Sequence, residues 1–143
     1  MNDATPTADS VAVRVIGQVE SALTETGDAP RQPDEGAPPA RIVLDKRYRA
    51  GLDGIGVGDA LVVLTWLHLA DRDVLTTRPR SELDRPLTGV FATRSPHRPN
   101  PIGLHEVTVT AVGEQSIDVA ALEAIDGTPV IDIKSSLGPL PRR

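Results

Sequence analysis

The sequence predicts a mainly β protein, a small single-domain β-barrel with long loops. Short segments of alternating apolar and polar residues recur along the chain, turn signals rich in Gly and Pro separate them, and no pattern is long enough for a four-turn helix. The chain has 143 residues, enough for one domain, and holds one Trp, one Tyr and one Phe, so Val, Ile, Leu and Ala must form the core. In such a barrel we expect the functional groups to gather at one rim.

The folded domain is expected to span residues 11–137, between a disordered N-terminus of residues 1–10 and a short tail of residues 138–143. Residues 24–40 are rich in Pro, Gly, Asp and Glu, and residues 70–88 are charged, so both segments predict long surface loops. The alternating or apolar segments predict strands at Val11–Glu20, Arg41–Leu44, Leu61–Leu67, Glu106–Val112, Ile117–Leu122 and Val130–Ile133.

Composition and charge exclude several classes of function. The absence of cysteine excludes disulfides, thiolate metal sites and a cysteine nucleophile, and it agrees with a cytoplasmic protein. Residues 1–10 have no signal-peptide pattern, and the apolar stretch Leu61–Leu69 is too short to span a bilayer. The net charge of −5 disfavours general attraction to nucleic acid, but a local anion site is compatible with the arginines of the central region, which are Arg72, Arg78, Arg80, Arg85, Arg94 and Arg98.

A proline-rich segment follows this charged region. Residues 94–103 contain Pro96, Pro99 and Pro101, each of which fixes its own φ and restricts the residue before it, so the loop is expected to be stiff. A stiff loop presents Arg94, Arg98 and Asn100 with little conformational entropy left to lose on binding a ligand. The same residues would equally suit a rigid corner without function.

Other candidate site residues lie in short motifs that each have a plain structural reading. Asp126-Gly127-Thr128-Pro129 is a turn signal, although Gly127 would also let a ligand approach the backbone closely. Asp132 and Lys134 lie two residues apart on one strand face and could be a surface ion pair. In the early loop, Pro30-Arg31-Gln32 pairs an arginine that can bind a carboxylate or phosphate with a glutamine that can read a polar edge.

The sequence lacks the motifs of several common enzyme classes. His68, His97 and His105 do not have zinc spacing and no carboxylate cluster accompanies them, so we predict no metal. Residues 51–58 are rich in glycine but fit neither the dinucleotide fingerprint nor the phosphate-binding loop. An enzyme with this sequence would therefore use its cofactor through an uncommon fold.

Three segments together resemble the TsaA-like family, also called the TrmO family of tRNA methyltransferases. They are Pro30-Arg31-Gln32, the run from Gly89 to Gly103, and Asp126 to Lys134, and their order and spacing match the family, with Gly51-Leu52-Asp53-Gly54 and Trp66-Leu67-His68 in register between them. The resemblance implies a compact β-barrel without a Rossmann fold that binds S-adenosyl-L-methionine, usually as a homodimer. It further implies methylation of N6 of N6-threonylcarbamoyladenosine next to the anticodon of tRNA.

The motifs that match the family imply which positions of this chain contact the cofactor. Arg98 and Asn100 are added from their place in the stiff loop, and His68 or Asp126 is the candidate general base if the acceptor nitrogen must lose a proton. The implied cofactor contacts are Pro30, Arg31, Gln32, His68, Leu69, Arg94, Leu122, Asp126, Gly127, Thr128 and Pro129.

The chain departs from the family in two places. Ser135 and Ser136 stand where the family continues with Pro-Tyr, and the chain stops at Arg143 where longer members carry a C-terminal extension. Both departures weaken the expectation of a tRNA substrate more than that of the cofactor. A methyltransferase for a smaller acceptor and a non-catalytic module that binds S-adenosyl-L-methionine therefore remain open alternatives.

Overall fold

The structure is a computed structural model that describes residues 9–24, 36–78 and 86–136. Its strands are β1 (Gly17–Ser21), β2 (Ala40–Leu44), β3 (Ala60–Trp66), β4 (Thr76–Thr77), β5 (Thr88–Gly89), β6 (Ile102–Val112), β7 (Ser116–Val119) and β8 (Pro129–Ser135). Two 3₁₀ helices, Lys46–Leu52 and Val90–Ala92, accompany them. Six of the strands close into an antiparallel barrel in the order β1-β2-β7-β6-β3-β8, while β4 and β5 form a small separate sheet. The expected fold class is confirmed.

The interior of the barrel is filled by every second residue of its strands. In β3 the side chains of Leu61, Val63 and Thr65 are buried, and in β6 the buried positions run from Gly103 to Val109 with the same period of two. Apolar area removed from water stabilises the fold by about 25 cal/mol per Å². The core consists of Val19, Ala40, Ile42, Leu44, Leu52, Leu61, Val63, Val107, Val109, Ile117, Val119, Leu122, Ala124 and Val130.

The antiparallel order of the strands gives the barrel two different rims. At the first, which we call the loop rim, β1 leads to β2, β3 leads to β6, and β7 leads to β8. Its described residues are 22–24, 36–39, 67–78, 86–101 and 120–128. The opposite rim consists of residues 9–16, the segment 45–59 that contains the first 3₁₀ helix, the link 113–115 and Ser136. The two longest connections, residues 22–39 and 67–101, therefore lie on one side of the barrel.

Several expected strand boundaries are wrong, and the first one for an instructive reason. β1 begins only at Gly17, and Val11, Val13 and Val15 are 82%, 59% and 55% exposed. Pairing with β2 starts at Gly17↔Leu44, where β2 ends, and Ile16 extends it by one residue, because its N–H donates to the carbonyl of Val130 and its carbonyl accepts from the N–H of Asp45. The alternating residues before Ile16 have no β2 residue opposite them. In the second half, β6 begins four residues earlier than expected and β7 ends before Leu122, whose backbone N–H donates to the carbonyl of Pro38.

Part of the expected organisation concerns residues outside the described ranges. Pro30-Arg31-Gln32, Arg80 and Arg85 lie there, as do most of the expected N-terminal segment and the tail. The domain boundary at residues 11–137 therefore stays a prediction. Of the helices in the described part of the chain, none is long and apolar enough to cross a membrane.

Candidate functional site

The structure places every described candidate cofactor contact on the loop rim. His68 and Leu69 follow β3, Arg94, Arg98 and Asn100 precede β6, and the remaining residues lie between β7 and β8 or at the first position of β8. These last ones are Leu122, Asp126, Gly127, Thr128 and Pro129. Pro30, Arg31 and Gln32 belong to the connection between β1 and β2 but lie outside the described residues. Three sequence-distant segments thus meet at one end of the barrel.

The proline-rich loop is held by Arg98 from within. Its guanidinium donates to the carbonyl oxygens of Val90 at 2.9 Å, Thr93 at 3.0 Å and Ser95 at 3.0 Å. A planar group with five N–H donors can satisfy several backbone carbonyls at once. These bonds fix the loop that carries Arg94. The expected contact of Arg98 with a ligand stays a prediction.

Arg72 joins the turn after β3 to the same loop. Its guanidinium donates to the carbonyl of Pro99 at 2.7 Å and to Oδ1 of Asn100 at 3.1 Å, and it lies 5.0 Å from the centre of the Trp66 ring. The backbone N–H of Asp71 donates to Nδ1 of His97 at 2.9 Å. These contacts attach the turn that carries His68 and Leu69 to the proline-rich loop. Asn100 is one of the groups that make this connection.

Three candidate side chains on this rim point into solvent. Arg94 and His68 are exposed and form no hydrogen bond or ion pair with another described residue, and Leu69 is 61% exposed. A guanidinium on a stiff loop without a protein partner can bind a carboxylate through two parallel hydrogen bonds. Arg94 is therefore an exposed cation of this rim that can bind an anionic group.

The Asp126 turn is attached to β1. Ser21 N–H donates to Oδ1 of Asp126 at 3.0 Å, Gly127 N–H donates to the carbonyl of Val19 at 2.7 Å, and the Thr128 hydroxyl donates to the carbonyl of Ile125 at 2.7 Å. Gly127 has a φ of +85°, and no atom lies within 4 Å of where a Cβ would be. The N–H groups of the turn are engaged, so a ligand resting on Gly127 would meet its carbonyl oxygens.

Sequence reasoning missed a buried polar cluster directly below these loops. Thr65 Oγ1 lies 2.7 Å from Nε2 of His105, and Nδ1 of the same ring lies 2.8 Å from Oε1 of Glu123. Thr65 and His105 are 0% and 4% exposed. The sequence indicates this cluster only in part. Thr65 and His105 are polar residues among the apolar interior positions of β3 and β6, which pair with each other.

A cleft among the described residues lies on the opposite rim. It has a volume of about 630 Å³ and is lined by residues of the first 3₁₀ helix and of β8, with none of the candidate cofactor contacts among them. Lys134 and Asp132 border it and form an exposed ion pair at 2.8 Å, which confirms the structural reading of that pair. Across residues 9–24, 36–78 and 86–136, no group of three or more His, Cys, Asp or Glu could hold a metal ion.

Comparisons with known proteins find similarity over most of the chain. The sequence profile of the tRNA-methyltransferase O N-terminal domain matches residues 18–138. A probable S-adenosyl-L-methionine-binding protein of Methanothermobacter thermautotrophicus is 41% identical over 124 residues, which cover 87% of this chain and 88% of that protein. An S-adenosyl-L-methionine-binding protein of Archaeoglobus fulgidus is 41% identical over 122 residues, covering 85% of this chain and 86% of the relative.

A solved structure shows the same fold. The crystal structure of TrmO from Pseudomonas aeruginosa superimposes with a TM-score of 0.71 at 29% sequence identity, and the match covers 90% of this chain. It covers 56% of the TrmO chain, so the present chain spans just over half the length of that protein. The family profile covers most of the described barrel and all the candidate cofactor contacts. The chain belongs to the family of the tRNA-methyltransferase O N-terminal domain.

Proposed function

We propose that this chain is an S-adenosyl-L-methionine-dependent methyltransferase that methylates N6 of N6-threonylcarbamoyladenosine in tRNA, next to the anticodon. The methyltransferase class and the cofactor rest on the family and on relatives whose names state that they bind S-adenosyl-L-methionine. The observation that carries the site is the convergence of the candidate segments on the loop rim, where Arg94 is exposed and free of described partners. A tRNA substrate would place the enzyme in the cytoplasm.

The residues of the loop rim fit the chemistry of the methyl donor. The donor has a carboxylate, which suits the guanidinium of Arg94, and an adenine base, which suits the open backbone at Gly127 and an apolar side chain such as Leu69. The exocyclic amino group of adenine is a hydrogen-bond donor and matches the carbonyl oxygens of the Asp126 turn. Pro30, Arg31 and Gln32 complete the proposed set of contacts.

The cofactor supplies an electrophilic methyl group on a positively charged sulfur. The work left to the protein is positioning and exclusion of water, which a stiff loop held by Arg98 and Arg72 favours because little entropy is lost when the ligands bind. His68 is exposed and unpaired within the described residues, so it can accept a proton from an acceptor nitrogen. Asp126 is the weaker candidate base, since Oδ1 already accepts from Ser21.

We also propose that the protein acts as a homodimer. The outward face of β3 and β6 is apolar where a solvated barrel surface is normally polar, with Leu64 opposite Leu104 and Trp66 opposite Ile102. Ile102 and Leu104 are 45% and 46% exposed in the single chain. An apolar face of this kind supports association of two copies, which sedimentation equilibrium would detect.

One observation favours a second candidate function, methylation of a smaller acceptor. The guanidinium groups of Arg72 and Arg98 both donate to groups of residues 90–100, so of the described loop-rim arginines only Arg78 and Arg94 have no described hydrogen-bond partner for their guanidinium. A protein that follows a nucleic-acid backbone normally uses several Lys or Arg side chains for this purpose. A small acceptor would not need them.

The test is incubation of the full chain with S-adenosyl-L-methionine labelled on its methyl group, in the presence of tRNA, protein or small-molecule fractions. We expect the label in tRNA, at the threonylcarbamoyl-modified adenosine, with transfer falling steeply as salt is added because phosphate contacts release counterions. Label in the small-molecule fraction without dependence on tRNA would replace the proposal with the second candidate. Binding without transfer to any fraction would leave only a binding module.

A further inference from the structure

The buried cluster below the loop rim contains a carboxylate oxygen without a partner. Glu123 is only 13% exposed, its Oε1 is bonded to His105, and its Oε2 is buried and accepts no hydrogen bond. The other such side-chain atom in the described part of the chain is Nε of Arg78. Leaving a buried polar group unsatisfied is costly, and more so for a charged group. The position of Oε2 therefore calls for a partner that residues 9–24, 36–78 and 86–136 do not provide.

The cluster lies where the barrel interior meets the three loop-rim segments. Thr65 is the last interior residue of β3 before the turn with His68, and His105 follows the proline-rich loop by a few residues in β6. Glu123 stands between Leu122 and Asp126 in the third segment. Below this polar layer the interior is apolar, with Val63 and Val107 at the next positions of the same strands. The unpartnered oxygen is thus at the loop-rim end of the barrel and not deep in its core.

The strands leave space for this cluster at one particular residue. A Cβ on Gly103 would come within 2.5 Å of Thr65 Oγ1 and 2.7 Å of His105 Nε2. The missing side chain lets the hydroxyl and the ring meet, so the carboxylate of Glu123 is held through a chain of two hydrogen bonds that begins in β3. Because a carboxylate accepts, Nδ1 of His105 carries the proton of the bond to Glu123. When the ring is neutral, Nε2 accepts from the Thr65 hydroxyl and the negative charge of Glu123 is not compensated.

We propose that Glu123 binds the positive charge of the methyl donor, and that His105 and Thr65 are positioning residues that hold its carboxylate. The proposal rests on the proposed function, because it concerns the cofactor of the same site. The donor carries two cationic groups, an ammonium and a sulfonium, and Arg94 suits its carboxylate. A fixed carboxylate with one vacant oxygen, in a site of low dielectric, attracts a cation more strongly than an exposed one does.

The experiment compares three ligands by calorimetric titration of the wild-type chain and of Glu123→Gln, which keeps the volume and removes the charge. The ligands are S-adenosylmethionine, S-adenosylhomocysteine, which keeps the ammonium but has a neutral sulfur, and methylthioadenosine, which has neither cation. We expect Glu123→Gln to weaken S-adenosylmethionine about tenfold or more and to leave methylthioadenosine unchanged. An equal loss for S-adenosylhomocysteine would assign the ammonium, and no loss for it would assign the sulfonium.

Two results would overturn the inference. Unchanged affinity for S-adenosylmethionine would show that Glu123 does not meet the cation. Equal weakening of methylthioadenosine would show that the substitution acts on the shape of the site and not on charge. Failure of the proposed function is a separate result, because then the wild-type chain itself would bind no S-adenosylmethionine or transfer no methyl group.

Control variants guard against a trivial loss of folding. Glu114→Gln is the matched control, since Glu114 lies on the opposite rim in an exposed ion pair with Arg49, and we expect it to change none of the three affinities. His105→Gln should weaken S-adenosylmethionine less than Glu123→Gln does, with the same indifference to methylthioadenosine, because it loosens the carboxylate without removing its charge. If His105→Gln bound S-adenosylmethionine as tightly as the wild-type chain does, His105 would not be a positioning residue.

Discussion

The two rims of the barrel use the same type of side chain in different ways. On the opposite rim, arginines bind carboxylates at the surface, as Arg49 does with Glu114 and Arg47 does with Asp45. On the loop rim, Arg98 and Arg72 donate to backbone carbonyl oxygens of the proline-rich loop, and Arg94 has no described partner at all. Exposed ion pairs contribute little to stability, whereas a guanidinium that satisfies several carbonyls fixes the course of a loop.

This difference separates the tasks of the two ends. The opposite rim closes the barrel with the link 113–115 and the segment 45–59, which contains a 3₁₀ helix, and the cleft found there holds none of the candidate cofactor contacts. On the loop rim, hydrogen bonds from Arg98 and Arg72 hold the described residues 90–100 in place. Substitutions of equal chemistry at the two ends should therefore have unequal effects, which makes the comparison testable.

The largest effect is expected from Arg94→Ala. Loss of a hydrogen-bonded charge partner typically costs about 1.5–3 kcal/mol, so affinity for S-adenosylmethionine should fall about ten- to hundredfold, as measured by calorimetric titration. Thermal stability should stay unchanged because Arg94 has no described protein partner. Arg49→Ala on the opposite rim is the control, and normal cofactor affinity of Arg94→Ala would refute the central assignment of the site.

Gly103→Ala should lower the free energy of unfolding by about 2 kcal/mol, because overpacking a buried site forces its neighbours to move. The added methyl group would press against Thr65 and His105, both of which are buried. Gly51→Ala in the 3₁₀ helix of the opposite rim meets no atom within 4 Å, and its stability should stay within about 0.5 kcal/mol of wild type. Equal denaturation midpoints in urea for the two variants would contradict the packing argument.

Arg98→Ala should have a smaller effect on stability, about 1 kcal/mol, because three hydrogen bonds to carbonyl groups are replaced by bonds to water. Its diagnostic is a rise in amide hydrogen exchange within residues 90–98, together with weaker cofactor binding. A variant that loses affinity while exchange in this loop stays unchanged would show that Arg98 contacts the cofactor directly, as the sequence alone suggests.

The smallest effect is expected from Asp45→Asn on the opposite rim. Hydrogen bonds from the Arg47 side chain and backbone hold the pKa of the Asp45 carboxyl below its usual value. A lowered folded-state pKa adds stability above the unfolded pKa of about 3.9, and this stability disappears as the pH falls through the folded pKa. The urea midpoints of wild type and Asp45→Asn should differ slightly at neutral pH and converge in acid. A difference between the two urea midpoints that grows as the pH falls would contradict a lowered folded-state pKa of Asp45.

The barrel could be predicted from the sequence because its signal is local. β6 alternates apolar and polar residues from Glu106 onward with a period of two, as a half-buried strand does, and β3 is a short apolar run. Alternation misled at residues 11–15, where it continues beyond the end of β2, the strand that pairs with Gly17 to Ser21. Whether an alternating segment becomes a strand depends on a partner elsewhere in the chain, and no local pattern contains that information.

The candidate site was predicted at the level of segments rather than side chains. The resemblance implied Arg94, and the stiff loop added Arg98 and Asn100, but only the folded loop shows that Arg98 turns inward and Arg94 outward. The contact between His105 and Glu123 joins residues that share no motif, so no sequence pattern could reveal it. The roles of these residues in binding stay predictions until they are measured.

The pairing of β1 with β8 also decides when the molecule can fold. Only Gly17↔Val130 and Gln18↔Pro129 join these strands, and Ser21 and Asp126, which support them, are 105 residues apart in the chain. Contacts of such sequence separation form slowly, since a long loop must close before they are gained. On the ribosome, the barrel therefore cannot close until β8 has emerged. If closure of the barrel limits the rate of refolding, the chain will gain its ability to bind the cofactor at that same rate.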